Sequence, residues 1–392
     1  MRIVVPIHSL EPGGVERVAL GLAAEWQRAG HKVTVVLGRS GSPQLVSAPP
    51  LDFWQIPTRR STAAYETPWM VHCLYSHLLE NRADVLFCPG NTYAVVGAAM
   101  RLLLGEYCPP IVLKVSNALE RSDMTGWMKR GYAAWLRAQG GMFDRLVGLT
   151  EPMEREIRRT TRAAGDRIAV IANPILTRRQ FQGLSAIERR PASPWKTGYL
   201  TAGRLVPQKN YPLLLRAFAR AARPGDTLTI AGEGPERARL QRLATELGIA
   251  DRVRFPGHLA CLDRLFAEAD VFVLSSDYEG LPGVIVEALA VGLPIVATDC
   301  CVSMGTLLGE GRQGILVPTR SVEALAAALE QARDFPVDAA RSRELARRHL
   351  IEGAAAAYLT MMNDICATRE EERRGRLQLD ARRPGVLRRA TF

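Results

Sequence analysis

The sequence of 392 residues lacks long hydrophobic runs, because glycine, proline or charged residues interrupt each one at strand length. This excludes a membrane-spanning helix, which needs about 20 consecutive apolar residues. The apolar stretch at 2–7 is too short for a signal peptide and predicts a first buried strand. We therefore expect a cytoplasmic protein, with peripheral contact at the inner membrane face left open.

Cysteine is sparse and unpatterned, since the seven cysteines include no C-x-x-C spacing. An odd, scattered set predicts reduced thiols in a cytosol and not a disulfide framework. The adjacent pair Cys300 and Cys301 follows a predicted strand and is interpreted as structural. No cluster with metal-ligand spacing occurs among the seven cysteines and six histidines, so the sequence predicts no bound metal.

Two further motifs are missing. Gly13 and Gly14 follow the first strand and would let backbone approach an anion at a helix start. They lack the G-x-G-x-x-G spacing, which disfavours a nicotinamide or flavin enzyme. The net charge is +11, but arginine is spread along the chain with no zinc-finger or RNP-like motif. We therefore predict no nucleic-acid partner.

Two basic segments stand out. The segment 127–137 mixes aromatic and cationic residues at helical spacing, as an interfacial helix on anionic lipid does. A helix that packs its aromatic residues into its own domain gives the same pattern, so both interpretations stay open. The Arg-rich tail at 369–392 is expected to begin as a helix end and to finish disordered.

Strand and helix patterns alternate from end to end, which is typical of parallel α/β architecture. Two doubly wound, Rossmann-like domains are predicted at 1–176 and 197–350, joined by a polar linker at 177–196 without clear periodicity. A helix at 351–368 is expected to pack back on the first domain. Two such domains imply a ligand cleft between the carboxyl ends of their strands.

Two acids in the run 275–289 are the main candidates for ligand binding. Glu279 lies in a Gly/Pro loop after an apolar strand, and Glu287 lies in the helix that follows. This arrangement can place both carboxylates in one cleft, near a helix N-terminus that favours anions. Such oxygens suit a ligand with sugar hydroxyls at one end and a phosphate at the other. Two simply solvated acids are the alternative.

A pair of cations opens the second domain. Arg204 and Lys209 lie five residues apart in the loop 203–210, after a predicted strand. A planar cation and a point charge at a cleft wall suit a diphosphate, although two solvated loop cations remain the alternative. Turns at Gly232 and Gly257 end the next strands and are expected to line a base pocket.

These segments together resemble the family-4 retaining glycosyltransferases of the GT-B fold. Four motifs match in order: Gly-Gly-Val-Glu-Arg at 13–17, Gly-Arg-Leu with Gln-Lys-Asn at 203–210, E-x7-E at 279–287, and the apolar element at 288–299. The resemblance covers roughly 1–365. It implies an N-terminal acceptor-binding domain and a C-terminal domain that binds a nucleotide sugar.

The resemblance also implies roles for single residues. Arg204 and Lys209 would bind the donor diphosphate and stabilise the leaving nucleotide. Glu287 would hold the ribose hydroxyls, and Glu279 the hydroxyls of the transferred sugar. Further donor contacts would come from Gly13, Gly14, Gly203, Gly232, Gly257, Gly280, Leu281, Pro282, Gly283 and Val284.

One segment departs from the family pattern. Many relatives carry a histidine after the fourth strand of the first domain, where this chain has Lys-Val-Ser-Asn at 114–117. Asn117 is therefore expected to reach the donor sugar or the acceptor, with Lys114 as a further contributor. The resemblance implies no required metal or other cofactor, because the arginine–lysine pair supplies the positive charge.

We therefore predict a retaining, metal-independent hexosyltransferase in bacterial polysaccharide or cell-envelope synthesis. Its donor would be a nucleotide-diphosphate sugar, UDP- or GDP-linked, and its acceptor a glycan or lipid-linked oligosaccharide. A GT-B sugar-nucleotide epimerase and a non-catalytic nucleotide-sugar-binding protein are the alternatives. A phosphorylase of the same fold would need a much longer chain and a cofactor-binding lysine.

Overall fold

A computed structural model describes residues 1–10, 13–39, 50–58, 62–120, 124–191 and 193–382. These residues form two α/β domains, each built on a parallel sheet, and this confirms the expected architecture. The strands of the first domain are β1 Arg2–Ile7, β2 Lys32–Leu37, β3 Asp52–Gln55, β4 Val85–Cys88, β5 Ile111–Lys114, β6 Arg145–Gly148 and β7 Ile168–Val170. Its helices are α1 Gly14–Arg28, α2 Glu66–Glu80, α3 Ala94–Leu104, α4 Gly126–Met142 and α5 Glu151–Thr161.

The second domain repeats the alternation of strand and helix. Its strands are β8 Gly198–Ala202, β9 Thr227–Ala231, β10 Val253–Gly257, β11 Val271–Leu274, β12 Ile295–Thr298 and β13 Gly314–Val317. The remaining helices are α6 Arg178–Ser185, α7 Tyr211–Ala221, α8 Arg237–Glu246, α9 Asp263–Glu268, α10 Gly283–Val291, α11 Met304–Leu307, α12 Val322–Gln331, α13 Ala339–Arg347 and α14 Ile351–Arg382.

The strand order sets where a ligand can bind. The first sheet runs β3-β2-β1-β4-β5-β6-β7 and the second runs β10-β9-β8-β11-β12-β13, with all pairs parallel. The order reverses between β1 and β4 and between β8 and β11, and ligands of open parallel sheets bind at such switch points. The loops that follow β1, β8 and β11 carry Gly13, Arg204 and Glu279, so three of the predicted motifs lie at the two switch points.

Strands at the centre of each sheet are buried on both faces, which explains their nearly continuous apolar sequences. β4, β5, β11 and β12 are buried along their whole lengths. The edge strand β3 is mostly exposed and has no long apolar run, so no strand is predicted there from the sequence. The rigid central strands hold the loops at their carboxyl ends in fixed positions.

One expectation about the chain connections differs from the structure. The linker at 177–196 contains α6, which begins with a capping box between Thr177 and Gln180 and packs on α10 through Phe181 and Leu184. The tail from 369, which was expected to begin as a helix end, continues α14 as far as Arg382. Arg369 anchors this extension, since its guanidinium donates to the Cys108 carbonyl and to Asp144. Residues 383–392 lie outside the described part of the chain.

Helix α14 returns from the second domain and covers α1 of the first. The Trp26 indole donates to the Ala355 carbonyl at 3.1 Å, and the buried Tyr358 ring meets Trp26 and Phe87 edge-on. Gly21 of α1 lies against Ile351, at the start of α14. The two domains are therefore joined by α14 as well as by the α6 segment. None of the described helices is both long and apolar enough to cross a bilayer.

Candidate active site

The centre of the site is an ion pair between the loops that follow β8 and β11. Lys209 Nζ lies 2.6 Å from Glu279 Oε1, and both side chains are largely buried. The Ser276 hydroxyl donates to the same carboxylate oxygen at 2.7 Å. The Glu279 amide donates to the Cys300 carbonyl at 3.0 Å. Both the backbone and the carboxylate of Glu279 are therefore held in place.

Additional hydrogen bonds fix the two loops to each other. Asn210 adopts the left-handed conformation, caps α7 through Leu213 and donates to Asp277 Oδ1 at 2.7 Å. The Asp277 amide donates in turn to the Gln208 carbonyl at 2.9 Å. The Lys209–Glu279 pair therefore rests on a hydrogen-bonded frame, and a ligand would meet a preorganised pair of charges.

Arg204 follows Gly203 at the carboxyl end of β8, with an exposed side chain. Within the described ranges, neither a carboxylate nor a hydrogen-bond acceptor pairs with its guanidinium. Lys209, by contrast, is neutralised by Glu279. Arg204 is therefore the cation of this loop that is free to bind an anion.

The predicted glycines at the strand ends have a structural reason to be glycine. Gly203 donates to the Ala231 carbonyl, and Gly232 donates to the Gly257 carbonyl at 2.8 Å. A Cβ on Gly232 would lie 1.9 Å from the Gly203 carbonyl oxygen, so no side chain fits there. These three turns lie side by side at one edge of the sheet, and whether they line a base pocket stays a prediction.

Glu287 lies on α10, one turn into the helix and partly buried. Burial raises the pKa of its carboxyl group, and Asp263 adds to the rise, whereas the positive charge of Arg17 opposes it. Arg17 belongs to α1 of the first domain, so a cation of the Gly-Gly-Val-Glu-Arg motif faces this acid across the cleft. Burial without a full counter-charge leaves the Glu287 oxygens suited to accept hydrogen bonds from hydroxyl groups.

The segment between Glu279 and Glu287 brings the two domains into contact. A Cβ on Gly280 would lie 2.2 Å from the Ser116 carbonyl oxygen and 2.4 Å from Asn117 Oδ1. Glycine is therefore required where the second domain meets the Asn117 loop. Of the other predicted residues here, Leu281 packs against the cores of both domains, and Gly283 packs against Ile175.

Helix α10 begins at Gly283 after Pro282 and has no side-chain cap. The Ile285 amide donates to the Pro282 carbonyl at 3.1 Å, so the N–H groups of Gly283 and Val284 are the ones available to a ligand. Pro282 is buried and Val284 is half-buried at this helix start. On the opposite domain, Gly13 precedes the first turn of α1, and the space in front of Gly14 is open. The structure thus places an uncapped helix start and an open glycine turn at the carboxyl edges of the two sheets.

Two residues that the sequence reasoning missed hold the Asn117 loop. The Asn91 side chain accepts a hydrogen bond from the Ser116 amide through Oδ1 at 2.8 Å. Its Nδ2 donates to the Asn117 carbonyl at 3.1 Å. The buried carboxylate of Glu156 accepts hydrogen bonds from the backbone amides of Leu119 and Glu120, both at 2.7 Å. The position of Asn91 just after a predicted strand was a usable signal. Nothing in the sequence distinguishes Glu156 from the other acids of α5.

Lys114 ends β5 and is almost completely buried, at 2% exposure. Its side chain points to the same face as that of Val112, which packs in the core formed with α1 and α14. Burial lowers the pKa of the Lys114 ammonium to about 7. Contact between Lys114 and a donor or acceptor stays a prediction, as does the corresponding contact of the exposed Asn117.

The arrangement offers cations, carboxylates and helix-start N–H groups along one cleft, which is the set needed to bind a phosphorylated polyol. Within the described residues, no three His, Cys, Asp or Glu side chains are arranged to hold a metal ion. Two parallel-sheet domains of this topology, facing one another across such a cleft, define the GT-B class.

Comparisons with known proteins agree with this class. The family model Glycosyltransferase Family 4 matches residues 12–179, and the model Glycosyl transferases group 1 matches residues 189–349. The chain therefore belongs to the family-4 glycosyltransferases with the GT-B fold.

Curated relatives match over parts of their length. The lipopolysaccharide core biosynthesis glycosyltransferase LpsE of Rhizobium meliloti is 40% identical over 134 residues, covering 34% of this chain and 38% of its own. The glycogen synthase of Mycobacterium tuberculosis is 31% identical, covering 64% of this chain and 61% of its own. An exopolysaccharide phosphotransferase of Streptomyces coelicolor is 31% identical, covering 59% of this chain and 24% of its own. The match thus spans about a quarter to about three fifths of the length of these relatives.

Solved structures extend the likeness of fold to nearly the whole chain. The lipopolysaccharide outer core galactosyltransferase WaaB in its apo form aligns with a TM-score of 0.73 and 16% identity, covering 93% of this chain and 99% of its own. Anabaena HepE in complex with UDP and glucose aligns with a TM-score of 0.64 and 20% identity, covering 94% of this chain and 99% of its own. At these identities the alignments support the fold alone.

The buried Lys114 predicts a pH-dependent stability. Its pKa is about 7 in the folded chain against an ordinary value of 10.5, so the unfolded chain binds more protons between these values. The free energy of unfolding therefore rises with pH above 7 because of this group, by at most about 1.4 kcal/mol per pH unit. We expect Lys114→Met to be more stable than the wild type at pH 7, and we expect this difference in stability to be smaller at pH 9. Thermal unfolding midpoints of both proteins at both pH values measure the difference.

The exposed Lys129 provides the control for this experiment. Lys129→Met should follow the wild-type pH profile, because an exposed ammonium is not desolvated by folding. A Lys114→Met profile parallel to that of the wild type would show that Lys114 is not a buried base with a lowered pKa.

Proposed function

We propose that this protein is a retaining glycosyltransferase that transfers a sugar from a nucleotide-diphosphate sugar to a glycan or lipid-linked acceptor. The observation that carries the proposal is the Lys209–Glu279 pair at the switch point of the second sheet, with Arg204 free beside it. Polysaccharide or lipopolysaccharide synthesis is the setting that its relatives' names favour.

The donor would lie along the second domain, where its diphosphate, its ribose and its sugar would each meet a different set of protein groups. The diphosphate would be held by Arg204, by Lys209 and by the uncapped N–H groups of α10, with Gly14 approaching from the first domain. The ribose hydroxyls would bind Glu287, and the hydroxyls of the transferred sugar would bind Glu279. A UDP- or GDP-sugar fits this distribution, and HepE, which shares the fold, was solved with UDP and glucose.

The reaction would proceed on one face of the sugar. The bond between the anomeric carbon and the phosphate oxygen breaks while Arg204 and Lys209 stabilise the charge on the departing diphosphate. The acceptor hydroxyl attacks from the same face, and its proton passes to the leaving phosphate oxygen. Arg204 would supply the net positive charge that a metal ion supplies in other transferases, and Lys209, whose charge Glu279 balances, would donate hydrogen bonds to the diphosphate. Glu279 would position the sugar and would not act as a nucleophile.

A donor screen tests the activity and separates it from its alternatives. UDP-, GDP-, ADP- and dTDP-sugars are incubated with the protein and membrane-extract acceptors, and nucleotide release is followed. Acceptor-dependent release supports a transferase. Conversion of a donor without an acceptor would indicate the epimerase instead, and binding of a donor without turnover would indicate a nucleotide-sugar-binding protein.

The free cation of the site gives the first mutational prediction. Arg204→Ala should reduce transfer by about 100- to 1,000-fold, because a preorganised charge on the leaving group is lost. The exposed side chain of Arg204 predicts little change in the unfolding midpoint. Initial rates with the donor found in the screen measure the effect.

Arg220→Ala is the matched control, since Arg220 is exposed and pairs with Glu323 on the helical face of the same domain. It removes the same charge away from the cleft and should retain wild-type rates. Wild-type turnover in Arg204→Ala would refute the role of this arginine.

We also propose peripheral contact of the first domain with an anionic membrane. Trp127 and Met128 are exposed at the start of α4, with Trp127 at 82% exposure. Lys129 and Arg130, which follow them, are exposed cations. The remaining aromatic residues of α4 are partly buried in the domain core, so the helix has a packed part and an exposed end. Exposed aromatic residues beside cations suit an anionic lipid surface.

Vesicle binding tests this contact. Trp127→Ala should weaken binding to phosphatidylglycerol vesicles by about tenfold, since inserting one large side chain contributes about 1.5–3 kcal/mol. Trp195 of the second domain is equally exposed, and Trp195→Ala should bind like the wild type. Equal weakening by both changes, or equal binding to neutral vesicles, would contradict a specific lipid-binding face. Co-sedimentation provides the measurement.

A further inference from the structure

A cavity lies between the domains beside the Asn117 loop, and neither Lys209 nor Glu279 lines it. Its volume is about 300 Å³. The first domain contributes Ala118, Glu120, Pro152 and the arginines of α5, and the second domain contributes Val302. Ala118 directly follows Asn117, so the cavity begins where the two domains touch. None of the donor roles proposed above uses it.

The charges around this cavity are mostly neutralised within the protein. Arg159 donates to Glu120 at 2.8 Å, and the buried Glu156 carboxylate is held by two backbone amides. Arg158 of the same helix pairs with Glu154 at 2.5 Å. Each of these groups already has a partner, so none of them needs a ligand.

Arg155 differs from its neighbours on α5. Its side chain is exposed and lines the cavity. Across the described ranges, neither a carboxylate within ion-pair distance nor a hydrogen-bond acceptor pairs with it. Arg155 is therefore the cation of the cavity lining that has no carboxylate partner, and its planar guanidinium can bind the two oxygens of an anion at once.

The remaining lining of the cavity suits a sugar. Ala118, Pro152 and Val302 present apolar surface, against which the C–H face of a pyranose ring can pack. The Glu120–Arg159 pair is exposed at the cavity and offers a carboxylate and a guanidinium to hydroxyl groups. Apolar walls with a few directed polar groups are typical of small-molecule sites.

We propose that this cavity binds the acceptor, and that Arg155 holds an oxyanion substituent of the acceptor sugar, a phosphate or a carboxylate. This inference rests on the proposed function, in which the donor is held by Arg204, Lys209, Glu279 and Glu287, none of which lines this cavity. A neutral acceptor would leave the charge of Arg155 without a partner. The protein would therefore discriminate for charged acceptors at a site separate from the donor diphosphate.

Ligand-observed NMR with simple probes tests this site. Glucose 6-phosphate, glucuronate and methyl glucoside are titrated into the protein in the presence of saturating UDP or GDP, which blocks the Arg204 side. At least one of the two anionic probes should bind the wild type more tightly than methyl glucoside does. Which of them binds identifies the anion as a phosphate or a carboxylate.

Arg155→Gln should weaken binding of that probe by about tenfold, as expected for loss of one charge-assisted pair. Arg158→Gln removes the same charge one turn along α5 and should bind like the wild type. Circular dichroism and the unfolding midpoint verify that both variants fold. Unchanged binding by Arg155→Gln, equal loss in Arg158→Gln, or no preference for an anionic probe would each overturn the proposal.

Nucleotide binding, measured by calorimetry in the same samples, keeps this proposal separate from the proposed function. If neither UDP nor GDP binds, the donor assignment fails, and the probe titrations are repeated without nucleotide. If a nucleotide binds and Arg155→Gln leaves the anionic probe unaffected, the acceptor inference alone fails.

Discussion

The ion pair between Lys209 and Glu279 is the constraint on which the rest of the site depends. A buried ion pair repays its desolvation only when its geometry is good and its remaining hydrogen-bonding capacity is used. Here the Ser276 hydroxyl and the Cys300 carbonyl complete the partners of Glu279. The pair joins the loops after β8 and β11 at the point where the strand order reverses. Its position therefore fixes where Arg204 stands and where α10 begins.

Close backbone approach is the second constraint, and it links the domains. Gly280 fits against Ser116 and Asn117 only because it has no Cβ. Asn91 and Glu156 hold the opposing loop from two different elements, so Asn117 meets the second domain from a rigid support. The Arg155 cavity lies beside this contact, and its lining residues do not include Arg204, Lys209, Glu279 or Glu287.

The alternation of strands and helices and the charged residues of the site could be predicted from the sequence. The central strands were found because burial on both faces leaves a continuous apolar signal, as in β4 and β11. Glu279 and Lys209 were identified, but their direct pairing was not, because spacing does not encode contacts between loops 70 residues apart. β3 was missed because its exposed faces carry no pattern. α6 was missed although its capping box at Thr177 and Gln180 is readable in the sequence.

A double-mutant cycle on Lys209 and Glu279 tests the account most directly. Calorimetry would measure the affinity for the donor found in the screen with wild type, Lys209→Met, Glu279→Gln and the double variant. If the pair preorganises the donor site, the two changes are not additive, and the coupling energy is about 1–3 kcal/mol. Additive effects, or donor affinity that is unchanged in both single variants, would contradict a donor site built on this ion pair.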